Sequence, residues 1–442
     1  MNNVSSNQTW SDSKHSSQTL RRVAISSFIG NFVEWFDYAV YGYLAAIIAT
    51  VFFPESDKTT GLISAFALFA ISFIVRPFGG IFWGYVGDRF GRRIALAVSI
   101  VVMSGATFCI ALLPSYQSVG ILAPILLLLI RIVQGFSASG EYAGASAFLA
   151  EYAPKNKRGI YTSLVPASTA CGLLVGSLLV TGLYAFLDES QLHTWGWRLP
   201  FLLAAPLGLI GRYIRLHLQD SPAFLEMAAE FERTEKEQTV PIIDLLTTYR
   251  RQTLIACGVT SLNAVAFYLI LSYMPTYLSV EVHLSEHLSF MATVVSLLTY
   301  IGFIFIMGKW SDTIGRKKTL SLASILFIVL TIPLFSLLDT ESFIQILIIQ
   351  ILFGAILSMN DGTLPCFLSE LFPTHVRYSG FALSFNTMNA ICGGTSPLIA
   401  TWLISVTGNK ISPSWYLMVI AFVALITIRF AKETANKSLE KV

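Results

Sequence analysis

"GYVGDRFGRR", residues 84–93, lies between two long apolar runs and gathers one acid, three arginines and three glycines into ten positions. It returns as "GKWSDTIGRK" at 308–317, with Gly, Asp, Gly, Arg and a final basic residue in register at an offset of 224. A second pair obeys nearly the same rule. "EYAPKNKR" (151–158) and "ELFPTHVR" (370–377) share Glu, Pro and Arg at identical spacing, offset by 219. Two separate motifs recurring at almost one offset mark a parallel duplication of a single unit.

The composition says what is duplicated. Of 442 residues 54% are hydrophobic and 12% charged, with a mean hydropathy of +0.66, whereas soluble domains carry roughly 25% charged residues. The excess falls in segments of about 20 residues, the length that crosses a ~30 Å hydrocarbon core as a helix. They lie near 24–50, 62–86, 94–114, 119–149, 160–186, 198–217, 253–279, 288–308, 319–337, 342–368, 379–406 and 413–430. Gly, Pro and aromatics run through all of them without period-2 alternation, which excludes a membrane β-barrel. The expected fold is an all-α membrane protein of twelve transmembrane helices in two pseudo-symmetric six-helix bundles, 21–218 and 251–432.

Orientation follows from the 29 Lys and Arg. With both termini cytoplasmic, only Lys58 and Lys410 fall in exterior loops and Arg76, Arg131 and Arg198 within or at the edge of spans, leaving 24 on the cytoplasmic side. The net charge of +3 is thus a topology signal rather than a nucleic-acid face. Residues 1–20, rich in Ser, Asn and Gln, read as a disordered tail and not a signal peptide; 219–250 reads as a cytoplasmic linker and 433–442 as a short tail. Five cysteines scattered singly predict neither disulfide nor metal site. No nucleophile–base set, P-loop or metal-ligand cluster occurs, so an enzyme is not expected, and no cofactor beyond protons as the coupling ion.

Two acids break the first span, Glu34 and Asp37 in "GNFVEWFDYAVYGY" (30–43). Three positions apart, they share one side of a helix. At 1.5 Å per residue they lie roughly 15 and 20 Å deep, and Arg131, on the fourth span from the opposite surface, about 18 Å deep. One arginine facing two acids neutralises one and leaves a surplus carboxylate, the setting for a proton carrier. The expected division is Glu34 as partner of Arg131 and Asp37 as the titrating group. Gln134 adds a polar neighbour, and Glu141 is either an exit step for the proton or a structural pair near the cytoplasm.

The 84–93 stretch resembles the signature loop of the major facilitator superfamily, and its doubling strengthens the likeness. Gly84 permits close helix approach, and Asp88 can accept from backbone donors at another helix's N-terminus or pair with a neighbouring Arg. Arg89, Gly91, Arg92 and Arg93, the second-half Asp312, Gly315 and Arg316, and the motif residues Glu151, Arg158, Glu370 and Arg377 are the gating candidates. "RPFGGIFWGYVGDRFGRR", "QGFSASGEYAGASAFLAEYAPKNKRG", "WGWRLPF" and "DSPAF" further resemble the metabolite:proton symporters, nearest the proline/glycine-betaine type, over about residues 21–440. That resemblance implies a multi-pass cell-membrane symporter taking up a small-molecule substrate by alternating access, acting as a monomer in the lipid bilayer. The osmosensing members carry a long C-terminal coiled coil that has no counterpart here, so osmotic activation is not implied.

For the substrate, Arg131 is the sole cation read at mid-depth, with Arg76 placed near the cytoplasmic end of its span. One cation suits a zwitterion such as betaine or proline; a di- or tricarboxylate wants more. Trp35, Phe36, Tyr38, Tyr41, Tyr268 and Tyr273 are candidates for an aromatic cage around an ammonium. Asn263 on span 7, Gln350, Asn360 and Asp361 on span 10, and Asn386 and Asn389 on span 11 are candidate cavity residues, several of which should line it. A carrier of 2-oxoglutarate, citrate or shikimate type, and a proton-independent uniporter, remain open alternatives.

Overall fold

The computed structural model describes residues 5–54, 58–234, 240–340 and 342–439. Among them there is helix and connecting loop but no strand. Ten helices are long and apolar enough to cross a bilayer. They are span 3 (Arg92–Leu112), span 4 (Leu122–Tyr152), span 5 (Arg158–Phe186), span 6 (Gly196–Leu216), span 7 (Arg250–Val280), span 8 (His287–Ile314), span 9 (Arg316–Leu337), span 10 (Phe343–Leu371), span 11 (Thr374–Thr407) and span 12 (Ser412–Arg429). Span 1 is a bent pair, Gln18–Tyr43 and Ala45–Phe52, turning by 68°. Span 2 is helix Lys58–Ile74 continued by Arg76–Arg89, each part too short to qualify alone. All twelve segments read from the sequence are therefore helical.

Each half has its own apolar core. Tyr41, Ile48, Phe52 and Trp197 lie in the first; Tyr277, Tyr300, Phe327 and Phe335 lie in the second, which also takes in Trp35 and Tyr38 of span 1. The halves thus share a packed seam at mid-depth. Phe78, Leu254 and Leu398 point outward, more than 60% exposed, where lipid tails take the place of water. Two spans carry π-helical turns, Tyr268–Tyr273 in span 7 and Asn389–Gly393 in span 11, an irregularity often found where a helix meets a functional site.

The start of the chain differs from expectation. The first helix begins at Ser5, so residues expected as disordered tail are helical from there on; residues 1–4 lie outside the described residues. No Gly or Pro interrupts positions 5–29, and a helix nucleated in the span extends at little cost. The linker holds helices Pro222–Thr234 and Pro241–Leu246, each opened by a proline whose missing N–H costs nothing there. Its residues 235–239 and the last three of the C-terminal tail also lie outside the described residues.

Asp220, at the head of the linker, accepts from the backbone N–H of Arg92 (3.0 Å), opening span 3. Glu433 does the same for Arg316 (2.9 Å) and Lys317 (3.1 Å), opening span 9. The turns they cap need glycine: Gly91 and Gly315 stand at φ 107° and 109°, a region hostile to any side chain.

Candidate functional site

Besides Arg92 and Arg158 at the basic end, three arginines are buried within the first bundle, and each has its own acid. Arg131 bonds Asp37 at 3.0 Å and Gln134 at 2.8 Å, while Gln134 donates to Asp37 (3.1 Å) and to Thr107 (2.7 Å). The Tyr41 ring lies 3.5 Å from the Arg131 guanidinium. Arg76 bonds Glu34 at 2.5 Å and packs 4.8 Å from the rings of Tyr38 and Phe73. Arg215 grips Glu141 and donates to the carbonyls of Leu96 (2.6 Å) and Ser26 (3.1 Å), tying spans 1, 3, 4 and 6 together.

This geometry corrects the expected pairing. Glu34 is held by Arg76, not Arg131, and the first span has no surplus carboxylate. Residues three apart on a helix diverge by about 60° around its axis, enough for Glu34 and Asp37 to address different neighbours. Arg76 was legible as a partner. It lies ten positions from the predicted end of span 2, and Glu34 ten from the predicted start of span 1, about 15 Å in both cases. Arg215 gave no such signal, because the edge of a span is where basic residues ordinarily gather. Glu141 takes the structural pair of its two expected readings.

The unmatched acid is in the second bundle. Asp361, wholly buried in span 10, accepts from Asn263 (2.8 Å), Asn360 (3.0 Å) and Tyr300 (2.8 Å). Of the buried carboxylates among the described residues, it alone has no basic partner. Asp361 borders a cavity between the halves together with Trp35, Tyr142, Thr169, Asn263 and Asn389. That cavity has room for about one water molecule, too little for a metabolite. Several expected lining residues lie elsewhere. Gln134 and Tyr41 belong to the Arg131 cluster, and Tyr273 shares a hydrogen bond with Thr401 (3.1 Å). Asn386 donates to the Ser139 carbonyl across the halves (2.8 Å). Tyr38 and Tyr268 pack with Trp35 and Phe73 around Arg76 rather than forming an empty cage. Nothing in the single sequence distinguished Tyr142, Thr169 or Tyr300 from ordinary packing residues.

At the basic end the halves are latched by reciprocal contacts. Asp88 accepts from the backbone N–H of Tyr378 (3.1 Å) and Ser379 (2.8 Å), early in span 11. Asp312 accepts from Gly159 (2.8 Å) and Ile160 (3.1 Å), early in span 5. Arg92 and Arg316 stand 3.0 and 2.8 Å from those acids. The Glu-Pro-Arg motifs exchange partners: Glu151 pairs with Arg377 (2.6 Å), Glu370 with Arg158 (3.5 Å). Close backbone approach makes this possible, since a Cβ on Gly84 would stand 2.5 Å from the Ser379 Cα. Arg89 and Arg93 lie outside the latch. Arg89 is exposed against Tyr85, and Arg93 holds the Leu218 carbonyl within its own half.

Comparison with known proteins closes the question of family. The sugar (and other) transporter family matches residues 23–236 and 224–442. The glycine betaine/proline/ectoine/pipecolic acid transporter OusA of Dickeya dadantii is 39% identical over 429 residues, 95% of this chain and 85% of the relative. The chain belongs to the sugar (and other) transporter family, within the major facilitator superfamily. Like its relatives it is a multi-pass cell-membrane transporter and not an enzyme. In fold it is similar to the proton:xylose symporter XylE bound to 6-bromo-6-deoxy-D-glucose, with TM-score 0.81, 19% identity and coverage of 96% of this chain and 98% of that one. Against inward-open XylE from E. coli, at 20% identity and coverage of 96% and 98%, the TM-score is 0.66.

Proposed function

We propose that this transporter is a proton-coupled symporter importing a small zwitterion of the glycine betaine or proline type by alternating access. One observation carries the coupling. Asp37 is buried with Arg131 and Gln134 on a single oxygen, Oδ2, while Oδ1 has no hydrogen-bond partner. A proton can land on Oδ1 without breaking a bond, cancel the charge that holds Arg131, and loosen spans 1 and 4. Glu34 offers a second such oxygen, Oε2, and its pair with Arg76 lies beside the aromatic seam.

The charge count favours a zwitterion over a polycarboxylate. Away from the latch the buried charges are Glu34, Asp37, Glu141 and Asp361 against Arg76, Arg131 and Arg215. The interior therefore carries more acid than base, and a di- or tricarboxylate would add repulsion. The similarity to a transporter named for betaine and proline points the same way. In this reading the latch closes the cytoplasmic side while the site loads, and parts to release substrate inward.

The test is uptake into proteoliposomes under an imposed inward proton gradient, with betaine, proline, 2-oxoglutarate, citrate and shikimate. Betaine or proline should accumulate in wild type. Asp37→Asn should abolish gradient-driven accumulation yet retain exchange of labelled for unlabelled substrate. Full-rate accumulation without a gradient, unchanged in Asp37→Asn, would leave the chain a uniporter.

A further inference from the structure

We infer that Asp361 seats the positively charged nitrogen of the substrate, an assignment that rests on the zwitterion reading above. The duplication isolates this residue. At the offset of 219, Arg131 falls on Gln350 and Tyr142 on Asp361. The second half therefore has an acid where the first has a tyrosine, and an amide where the first has the arginine. Gln350 is buried with neither amide atom hydrogen-bonded, and among the described residues no cation pairs with Asp361.

Three donors fix its carboxylate in place. Asn263 and Asn360 both donate to Oδ1, and Tyr300 donates to Oδ2. Hydrogen bonds of this kind stabilise the anion, and a buried anion without a counter-ion is costly unless a cation arrives. The space it borders is aromatic. Tyr142 and Phe385 stack with centroids 4.2 Å apart, and Trp35 meets Phe267 edge-on at 5.2 Å. An anion inside aromatic walls is the chemistry that selects quaternary or secondary ammonium nitrogen over neutral groups.

A second observation points to the other end of the same ligand. Trp35 lines this cavity, and its indole N–H is buried without a hydrogen-bond partner. Arg76 lies 5.9 Å from its ring. A substrate carboxylate directed at Trp35 would satisfy that donor under the field of the Arg76 guanidinium. Asp361 belongs to the second half and Trp35 to the first, so one zwitterion would bridge the halves. The present cavity is too small to hold it, and the halves must part before loading.

The test is equilibrium binding of radiolabelled glycine betaine to the purified full-length protein, with competition by 3,3-dimethylbutanoate. This competitor has betaine's shape with carbon in place of the charged nitrogen. Wild type should prefer betaine by at least about tenfold. Asp361→Asn should lose that preference, both ligands binding alike, while Asp361→Glu should retain it. Size-exclusion elution and thermal stability show whether each variant is folded. Equal binding of the two ligands by wild type would overturn the assignment without any variant. So would a folded Asp361→Asn that keeps the preference, including one that loses only gradient-driven accumulation, since Asp361 would then be a proton site. A wild type that binds neither betaine nor proline would instead defeat the zwitterion reading itself.

Discussion

At the scale of single residues, the charges in the first bundle come as matched pairs, and truncating either member of a pair is costly. Deleting one partner of a buried pair costs about 3–5 kcal/mol, because the survivor is left charged in a low-dielectric interior. Arg76→Ala should therefore lower thermal stability sharply, and the double change Glu34→Gln with Arg76→Gln should recover most of the loss. Arg131→Ala should abolish accumulation of substrate in proteoliposomes. Lys410 is a control for charge as such. Its 2.7 Å contact with Asp339 joins side chains 38% and 60% exposed, and exposed pairs contribute about 0–1 kcal/mol, so Lys410→Ala should leave transport unchanged. The sequence disclosed that acids and arginines meet inside the membrane. It did not disclose which acid meets which arginine, since helical rise sets depth while partner choice depends on rotation about the axis.

At the scale of elements, the repeated loop is a capping device shared between halves. Each signature Asp closes the backbone donors of a helix in the opposite bundle, and each Glu-Pro-Arg motif gives its Glu to the other bundle's Arg. The duplication was legible because two motifs kept their spacing; the exchange of partners was not, since spacing along a chain says nothing of which copy a side chain meets. Gly84→Val should keep the latch from closing, as its Cβ would stand 2.5 Å from the Ser379 backbone. Cysteine labelling from the basic side, at a position introduced along the cavity, should then rise well above wild type while uptake falls. Gly91→Ala should cost about 1–3 kcal/mol, the usual penalty for a side chain in backbone that is essentially glycine-only, read as a lower melting temperature.

At the scale of the whole molecule, two copies of one design have been given different charges. The first bundle pairs every buried acid it holds. The second keeps one acid, Asp361, with no base, where the matching arginine position is Gln350. Hydrophobic length alone carried the twelve-helix architecture into view, because crossing lipid leaves a chain few choices. The cavity stayed hidden because its walls come from separate spans: Tyr300 reaches Asp361 from span 8 of the same bundle, and Tyr142 borders it from span 4 of the other. Coupling in this account means that substrate and proton cross together. Adding betaine to weakly buffered proteoliposomes containing a trapped pH-sensitive dye should acidify the lumen in wild type and leave it unchanged in Asp37→Asn. Betaine entry at the wild-type rate with no lumenal acidification would contradict the account.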